Sequence, residues 1–417
     1  MTTEGIRFID ALFTSTSACC VTGLTVIETG TDFTFKGQFV IMLLIQIGGI
    51  NIVCFATYLA SSYRGNSLHY QSVMKEMLST SLHGTKSLIK EIFLYTLIIE
   101  LIGSFALFLH YNHNHFYSES VLQNIFLSVF HTIAAFNNAG FSIIEGGMTA
   151  PLFRMDHYVQ YIIALLIFLG GIGFIAIADI FNNIHNSNTK KGLWHRLQVM
   201  TKLSIKVSLF LVFAGALSFF IFEFNNASAG TGFSDRICTA LFASISCRTA
   251  GFATIDNSLF STPTILIFII LMFIGASPSS TGGGIKTTTF YIIIKSAIAT
   301  IKGKKQVTIY NRSIAFNYVD RSYTIVLFTL SLIFAGIVVI SISDPQFTLQ
   351  EIVYEAVSAI GTVGLTLGIT PHLSLIGKLT LILLMFVGRI TVLTLALSVA
   401  RKTMYTNYSL ARTNINI

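Results

Sequence analysis

The chain is 417 residues long, 53% hydrophobic and only 11% charged, with a net charge of +8. Soluble domains carry roughly 25% charged residues, so this deficit excludes an ordinary soluble protein and points to a chain that crosses a membrane several times. Nucleic-acid binding is a poor reading of the positive excess, because the basic residues cluster in short segments between apolar runs.

A crossing needs about 20 apolar residues, and hydrocarbon forces their backbone groups to pair within a helix. Taken in order, a short apolar helix over Phe8 to Ala18 is too brief to cross and ends in CVTGLTVI from Cys20. A full span follows over Gln38 to Ser61, carrying IGGIN from Ile47, then basic Arg64, Lys75, Lys86 and Lys90. The next span, Leu88 to Leu109, leads to a short helix over Val121 to Ala135 and to NNAGFSII from Asn137. Tyr158 to Phe181 is a span with LGGIGF from Leu169, and Lys190, Lys191, Arg196, Lys202 and Lys206 follow it as a basic loop. After the span Ile205 to Phe224 come a short helix over Ile237 to Ser246 and CRTAGFATI from Cys247. Pro263 to Ile298 is apolar but interrupted by GASPSSTGGGIKTTT, Gly275 to Thr289. Lys295, Lys302, Lys304, Lys305, Arg312 and Arg321 form the next basic loop. The chain closes with the span Ser322 to Ile342, a short helix over Ile352 to Ile360, GTVGLTLG from Gly361, the span Leu373 to Ala400 with FVGRIT from Phe386, and a tail bearing Arg401, Lys402 and Arg412. The positive-inside rule makes all four basic segments cytoplasmic.

The polar interruptions centre on Gly23, Gly140, Gly251 and Gly364, at steps of 117, 111 and 113 residues. A second marker keeps step: Gly48, Gly170, Gly275 and Gly388 follow those glycines by 25, 30, 24 and 24 residues. A period near 110 suits a membrane unit of two crossings. The fold class expected is an all-α polytopic membrane protein of four pseudo-symmetric repeats, each an outer helix, a re-entrant half-helix, a polar strand and an inner helix, around a central pore. The units divide at 1–66, 67–186, 187–304 and 305–417. The half-helices enter from outside, near Asp10, Glu28, Glu119, Asp235, Asp256, Glu351 and Glu355. Only 22 residues precede Gly23, so the first unit lacks an outer helix in this sequence, and Met1 reads as an internal methionine of a longer protein or as a start that lost the front.

Irregular backbone at membrane depth is tolerated only where it is buried in protein or lines a wet cavity. Four such strands around one axis present carbonyl rings that replace the water shell of a cation. Glycine permits the close approach, and the half-helix C-termini favour cations. The candidate ion-binding residues are Thr22, Gly23, Asn138, Ala139, Gly140, Thr249, Ala250, Gly251, Thr362, Val363 and Gly364. The competing reading is glycine-bearing bends in packed helices.

Pro278 and Gly282, Gly283 and Gly284 cannot sustain a helix, so the third inner helix contains a loop able to plug or open the passage. A packing kink is the alternative. A nucleotide loop fails because Ile285, not glycine, precedes Lys286. Arg389 fills the slot of Gly49, Gly171 and Ala276. It is expected to hold the loop through backbone carbonyls, to repel cations, or to anchor two helices off the axis. Arg248 is expected to brace the strand from behind, with Glu100 or Glu355 as partner. His131 reads as a packed, hydrogen-bonded side chain. Cys19, Cys20, Cys54, Cys238 and Cys247 suggest neither disulfides nor a metal site, and the N-terminus shows no cleavable signal peptide pattern. An enzyme would need clustered carboxylates, a Ser/His pair or metal ligands in the spans, and none appears at sensible spacing; a non-conducting scaffold is a further alternative.

SCRTAGF, the NNAGF stretch, TSACCVTGLTV and GASPSSTGGGIKTTT resemble signatures of the Trk/Ktr/HKT superfamily of potassium transporters. The resemblance spans essentially the whole chain and is strongest to the membrane subunits of bacterial Ktr systems. It implies that the four glycines are selectivity-filter glycines, and that glycine rather than serine in the first position goes with potassium preference. It assigns Gly282, Gly283, Gly284 and, by adjacency, Lys286 to an intramembrane gating loop faced by Arg389. It implies a homodimer in a bacterial plasma membrane, seated on a cytosolic ring of nucleotide-binding (RCK/KTN-type) regulatory subunits. Potassium is the transported ion, sodium an activator in some members, and no cofactor is tightly bound. A sodium-selective or non-selective conductor remains the alternative within the superfamily.

Overall fold

The computed structural model describes residues 1–49, 85–114, 120–185, 192–304, 306–310 and 312–390. Of the positions singled out above, Cys54, Arg64, Lys75, Glu119, Lys190, Lys191, Lys305, Arg401, Lys402 and Arg412 lie outside these residues, as do the ends of the spans reaching Ser61 and Ala400.

The described chain is mostly helical, with irregular stretches between the helices. The main helices are α1 (Phe8–Cys20), α2 (Phe35–Gly49), α3 (Thr85–Asn114), α4 (Val121–Phe136), α5 (His157–Ile172), α6 (Phe174–His185) and α7 (Val199–Glu223). They continue as α8 (Phe233–Ser246), α9 (Thr262–Phe273), α10 (Thr287–Ile301), α11 (Phe316–Ser343), α12 (Leu349–Gly361) and α13 (Leu375–Ile390). A two-stranded hairpin pairs Thr308–Ile309 with Arg312–Ser313 between α10 and α11.

Among the described residues, three helices are long and apolar enough to cross a membrane: Lys90–His113, Val199–Glu223 and Phe316–Ser343. Their outward faces expose Leu101, Phe105, Phe213, Leu327 and Phe334. In water such apolar surface would drive association, whereas lipid makes it the stable arrangement. Basic residues at the ends of the expected loops are helical: Lys202 and Lys206 lie in α7, Lys295 in α10 and Arg321 in α11. α7 and α11 begin earlier than their apolar runs because long basic side chains at a helix end reach the membrane interface while their backbone stays helical.

α1, α4, α8 and α12 have 13, 16, 14 and 13 residues. At 1.5 Å per residue they reach about 20–24 Å, short of the roughly 30 Å of a hydrocarbon core. Each precedes an irregular stretch and a second helix: α2, α5, α9 and α13 respectively. Each short helix packs on its own second helix or its neighbours, and also on the second helix of the preceding set: α4 on α2, α8 on α5, α12 on α9 and α1 on α13. The last of these contacts closes the circuit.

The second glycine marker now has a cause. A Cβ on Gly48 would strike the Cys19 carbonyl, one on Gly170 the Phe136 carbonyl and one on Gly388 the Ile360 carbonyl. Each of these helices therefore crosses the C-terminal end of its short helix backbone against backbone. Gly275 differs: its nearest neighbour is the Gly283 carbonyl of the loop.

Polar side chains staple the long helices to the segments after them. His110 in α3 meets the N-cap residue Asp156 of α5 at 2.5 Å. Glu223 at the end of α7 accepts from Ser261 N–H (2.9 Å) and from Thr264 Oγ1 (2.5 Å) at the start of α9. Asp344 after α11 accepts from Ser374 N–H at 2.7 Å, just before α13. Burial pulls the Asp344 carboxyl up, but hydrogen bonds from Ser343 and Ser374 outweigh it and hold the group below the ordinary range. The capping box of Thr348 and Glu351, legible as T-x-x-E, starts α12.

Two expectations need correction. Tyr158 to Phe181 is not one straight span: the chain breaks at Gly173, and α5 and α6 meet at 97°. Gly173 has φ +97°, which only glycine adopts readily. Arg248 pairs with neither Glu100 nor Glu355. Glu100 accepts from Gln46 and Asn137, and Glu355 from Thr366, Thr370 and Leu367 N–H.

The closing contact between α1 and α13 contains a buried ion pair. Lys378 Nζ donates to Asp10 Oδ1 at 2.8 Å, and Arg7 Nε to Asp10 Oδ2 at 2.8 Å. Lys378 and Asp10 are 3% and 4% exposed, whereas Arg7 faces outward. Removing one member leaves a buried charge poorly compensated. Lys378→Met is expected to lose about 3 kcal/mol of stability in detergent unfolding, with the Asp10→Asn/Lys378→Met double variant recovering most of it.

Candidate functional site

The stretches after α1, α4, α8 and α12 converge. A Cβ on Gly23 would lie 2.5 Å from the Ala139 carbonyl oxygen and 3.2 Å from Gly140 Cα. One on Gly140 would lie 2.7 Å from the Ala250 oxygen and 3.0 Å from Gly251 Cα. One on Gly251 would strike the Val363 oxygen and lie 3.1 Å from Gly364 Cα. One on Gly364 would strike the Thr22 oxygen and lie 2.9 Å from Gly23 Cα. The four glycines thus form a closed ring in chain order, each against the next, with no room for a methyl group between them.

The backbone geometry repeats as well. Each ring glycine has positive φ, between +67° and +95°, and so does the residue two before it: Val21 (56°), Asn138 (59°), Thr249 (76°) and Thr362 (48°). Left-handed backbone is uncommon for any residue with a Cβ and an outlier for branched ones. In three copies it ends the short helix in a Schellman motif. Val21 and Thr22 donate to the Ala18 and Ser17 carbonyls (3.1 and 2.8 Å), Asn138 and Ala139 to Ala135 and Ala134 (3.0 and 2.7 Å), and Thr362 and Val363 to Ala359 and Ser358 (3.1 and 2.8 Å). The third copy is different: Ala250 and Gly251 both donate to the Ser246 carbonyl.

Side chains behind the ring fix it. Gly23 N–H donates to Ser17 Oγ and Gly364 N–H to Ser358 Oγ, both at 3.1 Å. His131 is fully buried and holds Ser142 Oγ at 2.9 Å through Nε2. Glu355, at the matching place in α12, takes Thr366. His131 is therefore a hydrogen-bonded packing residue. Arg248 donates to the Ser208 carbonyl (3.2 Å), to Ser208 Oγ (3.3 Å) and to the Gly275 carbonyl (3.3 Å). It braces the third stretch against α7 and the end of α9.

On one side of the ring lies a cavity of about 460 Å³, lined by all four glycines and by Thr25, Glu28, Asp256 and Thr366 among others. On the other side the glycine loop is pressed against the positions two before the ring. Gly283 N–H donates to Thr362 Oγ1 at 3.0 Å. A Cβ on Gly282 would lie 3.0 Å from Thr249 Cβ and one on Gly283 3.2 Å from Thr362 Cβ. The Thr249 hydroxyl in turn donates to the Asn138 side-chain oxygen at 3.1 Å, while the Asn138 amide donates to the Ala135 and Ile167 carbonyls.

The loop is tied to other sets too. Thr281 Oγ1 donates to the Phe136 carbonyl at 3.2 Å. The Arg389 guanidinium donates to the Thr281 carbonyl and to the Gly48 and Gly49 carbonyls at the end of α2. Lys286 Nζ, half-buried, donates to the Gly282 carbonyl at 2.7 Å. Two cationic groups thus hold the carbonyls of neighbouring loop residues, close under the ring.

All the singled-out residues around the ring come together: Thr22, Asn138, Ala139, Thr249, Ala250, Thr362 and Val363 are fully buried around the four glycines. Sequence reasoning missed Val21, the fourth left-handed residue. Placing the first stretch in register two before its glycine would have found it. Ser17 and Ser358, each six before a glycine, were equally legible.

A family model described as "TrkH: Cation transport protein" matches residues 2–408. The chain belongs to the TrkH cation transport family. This TrkH-family chain is 37% identical over 404 residues to Ktr system potassium uptake protein B of Bacillus subtilis, covering 96% of this chain and 87% of that one. It is 35% identical to the potassium/sodium uptake protein NtpJ of Enterococcus hirae, covering 96% and 87%. The crystal structure of the potassium transporter TrkH from Vibrio parahaemolyticus superposes with a TM-score of 0.75 at 17% identity, covering 95% of this chain and 79% of that one, which shows the shared fold. The chain is a membrane cation transporter and not an enzyme.

The contact between Gly283 and Thr362 generates a direct test. Thr362→Val keeps the branched shape but leaves a buried N–H without its acceptor, at a cost of about 1–3 kcal/mol. Amide exchange across residues 275–289 is expected to rise in Thr362→Val and to stay near wild type in Thr362→Ser.

Proposed function

We propose that this chain is the ion-conducting subunit of a potassium uptake system in a bacterial plasma membrane. Its four sets of helices are pseudo-symmetric repeats around a pore, with inter-repeat loops and C-terminus in the cytoplasm. The single observation carrying this reading is the closed ring of Gly23, Gly140, Gly251 and Gly364, backbone against backbone.

In this reading the ring stretches are the selectivity filter. A left-handed residue at each of Val21, Asn138, Thr249 and Thr362, followed by a left-handed glycine, turns successive carbonyls so that those of residues 21–23, 138–140, 249–251 and 362–364 line the passage. These oxygens replace the hydration shell of a potassium ion. The carbonyl ends of α1, α4, α8 and α12 all point at the ring and add a negative potential that favours cations. The 460 Å³ cavity with Glu28 and Asp256 is the outer vestibule. Inward movement needs no chemical energy, because a membrane potential of 100 mV is worth about 2.3 kcal/mol per charge.

The glycine loop is the gate, held shut by Arg389 and Lys286 through loop carbonyls and by Thr362. It opens under the control of a cytosolic nucleotide-binding (RCK/KTN-type) partner, an assignment supported by the naming of the relatives as parts of a Ktr system. A homodimer with one pore per subunit completes the assembly. Potassium is the cargo, no cofactor is tightly bound, and sodium activation is a property of some members of the superfamily. The name of the Enterococcus hirae relative favours one second reading, a conductor that also passes sodium; competition of sodium against potassium flux separates the two.

Growth of a potassium-uptake-deficient strain at low potassium is the test. Wild type is expected to restore growth. Gly251→Ser, which places a side chain against the Val363 carbonyl, is expected to abolish it at normal membrane expression. Retained growth in Gly251→Ser would remove the filter assignment, and failure of wild type to restore growth would leave a non-conducting scaffold.

A further inference from the structure

With the loop's proposed role as gate for a premise, the question is what positions it. Besides Arg389 and Thr362, the loop is hydrogen-bonded to the broken helix pair α5 and α6. Ser277 N–H donates to the Gly171 carbonyl at 3.0 Å and Thr281 N–H to the Gly170 carbonyl at 3.4 Å. In the opposite sense, Phe174 N–H donates to the Ser279 carbonyl at 2.8 Å. A helix end leaves carbonyls unpaired and a helix start leaves N–H groups unpaired. Breaking the chain at Gly173 creates one of each at the same place, and the loop takes both. The break itself is shaped to receive the loop: a Cβ on Gly173 would strike the Pro278 carbonyl.

α6 is anchored at its other side to elements away from the ring. Asp179 accepts from Gln198 N–H at 2.9 Å, immediately before α7. Phe181 stacks on Tyr95 of α3 with ring centroids 4.9 Å apart. A displacement of α6 against α3 and α7 therefore reaches the loop through one backbone contact, Phe174 to Ser279.

We propose that Phe174 is a positioning residue of the gate: its backbone N–H latches the glycine loop to α6, and α6 is the lever that moves the loop. The bend in the second inner helix is then part of the gate and not a packing kink. Pulling α6 away withdraws the donor from Ser279, and the loop loses one of the bonds that keep it under the ring.

The latch is an N–H, so proline can remove it. Phe174 is the first residue of α6, a position proline suits, and Gly173 already has the extended ψ that a residue before proline needs. The Phe174 ring is buried and lies 6.3 Å from that of Phe136. Phe174→Ala is therefore the control that loses the ring and keeps the N–H. Rubidium flux into potassium-loaded proteoliposomes, with the potassium-to-sodium permeability ratio, is the readout. Phe174→Pro is expected to conduct about fivefold faster than Phe174→Ala at an unchanged permeability ratio, the shift that losing one hydrogen bond produces in a two-state gate. Equal flux in the two variants, or a lost permeability ratio in Phe174→Pro alone, overturns the proposal.

Should either variant fail to insert, amide exchange of wild type and Arg389→Ala decides it. Release of the loop must raise exchange in residues 170–182 together with 275–289; a rise confined to 275–289 overturns the latch. Failure of the wider reading is recognisable separately, as no potassium flux through wild type or undiminished flux through Gly251→Ser, and the exchange experiment still tests the latch.

Discussion

Four stretches of backbone approach one another so closely that none of the four central residues can carry a side chain. This one constraint accounts for most of what surrounds it. The short helices stop where they do because the chain must leave the helical path before the ring. The helices that follow carry a glycine at Gly48, Gly170 and Gly388 because they cross those same helix ends at backbone distance. Even the departure at Gly275 obeys the rule, since the loop backbone, at Gly283, occupies the place that a short-helix carbonyl takes elsewhere.

The approach is bought with local strain. Val21, Thr249 and Thr362 are branched residues in left-handed backbone, a state costing of order 1–3 kcal/mol each. Such residues persist only where their surroundings over-determine them. Here the Schellman bonds, the Ser17 and Ser358 hydroxyls, and the brace from Arg248 do so. The side chains of Asn138, Thr249 and Thr362 then serve a second purpose, since on their far side they carry one another or the glycine loop. Ring and loop are therefore not independent parts: the residues that hold the ring in shape are the ones on which the loop rests.

Much of this was legible in the sequence, and for a physical reason. Hydrocarbon leaves few options for a backbone, so apolar runs gave the helices to within a few residues, and glycine in a polar break marked a close approach. The four ring glycines followed from the internal repeat, which also set Arg389 opposite the loop but left open whether it holds loop carbonyls, repels cations or anchors two helices; its bonds to Thr281, Gly48 and Gly49 are what the structure adds. What could not be read was direction. Nothing in LGGIGF said that Gly173 would turn the chain through 97° instead of letting it run straight, because glycine is equally compatible with tight helix packing. The partner of Arg248 could not be read either: the sequence offers Glu100 and Glu355 as opposite charges, yet three neutral oxygens from Ser208 and Gly275 satisfy most of its donors. Val21 was overlooked because an apolar residue attracts no attention in an apolar chain, although its position in the repeat is what matters.

The ion pair between Asp10 and Lys378 joins residues 368 apart in sequence. Arg389 adds a bond from α13 to the end of α2 over a separation of 341. A nascent chain is made from its N-terminus, so the fourth wall of the circuit is synthesised last. Until it arrives, the Asp10 carboxylate lacks its buried counter-charge and the first and third sets have no common neighbour on that side. The assembly is therefore a barrel whose final stave locks the hoop. An incompletely synthesised molecule cannot close the ring, because Gly364 is the member that stands between Gly251 and Gly23.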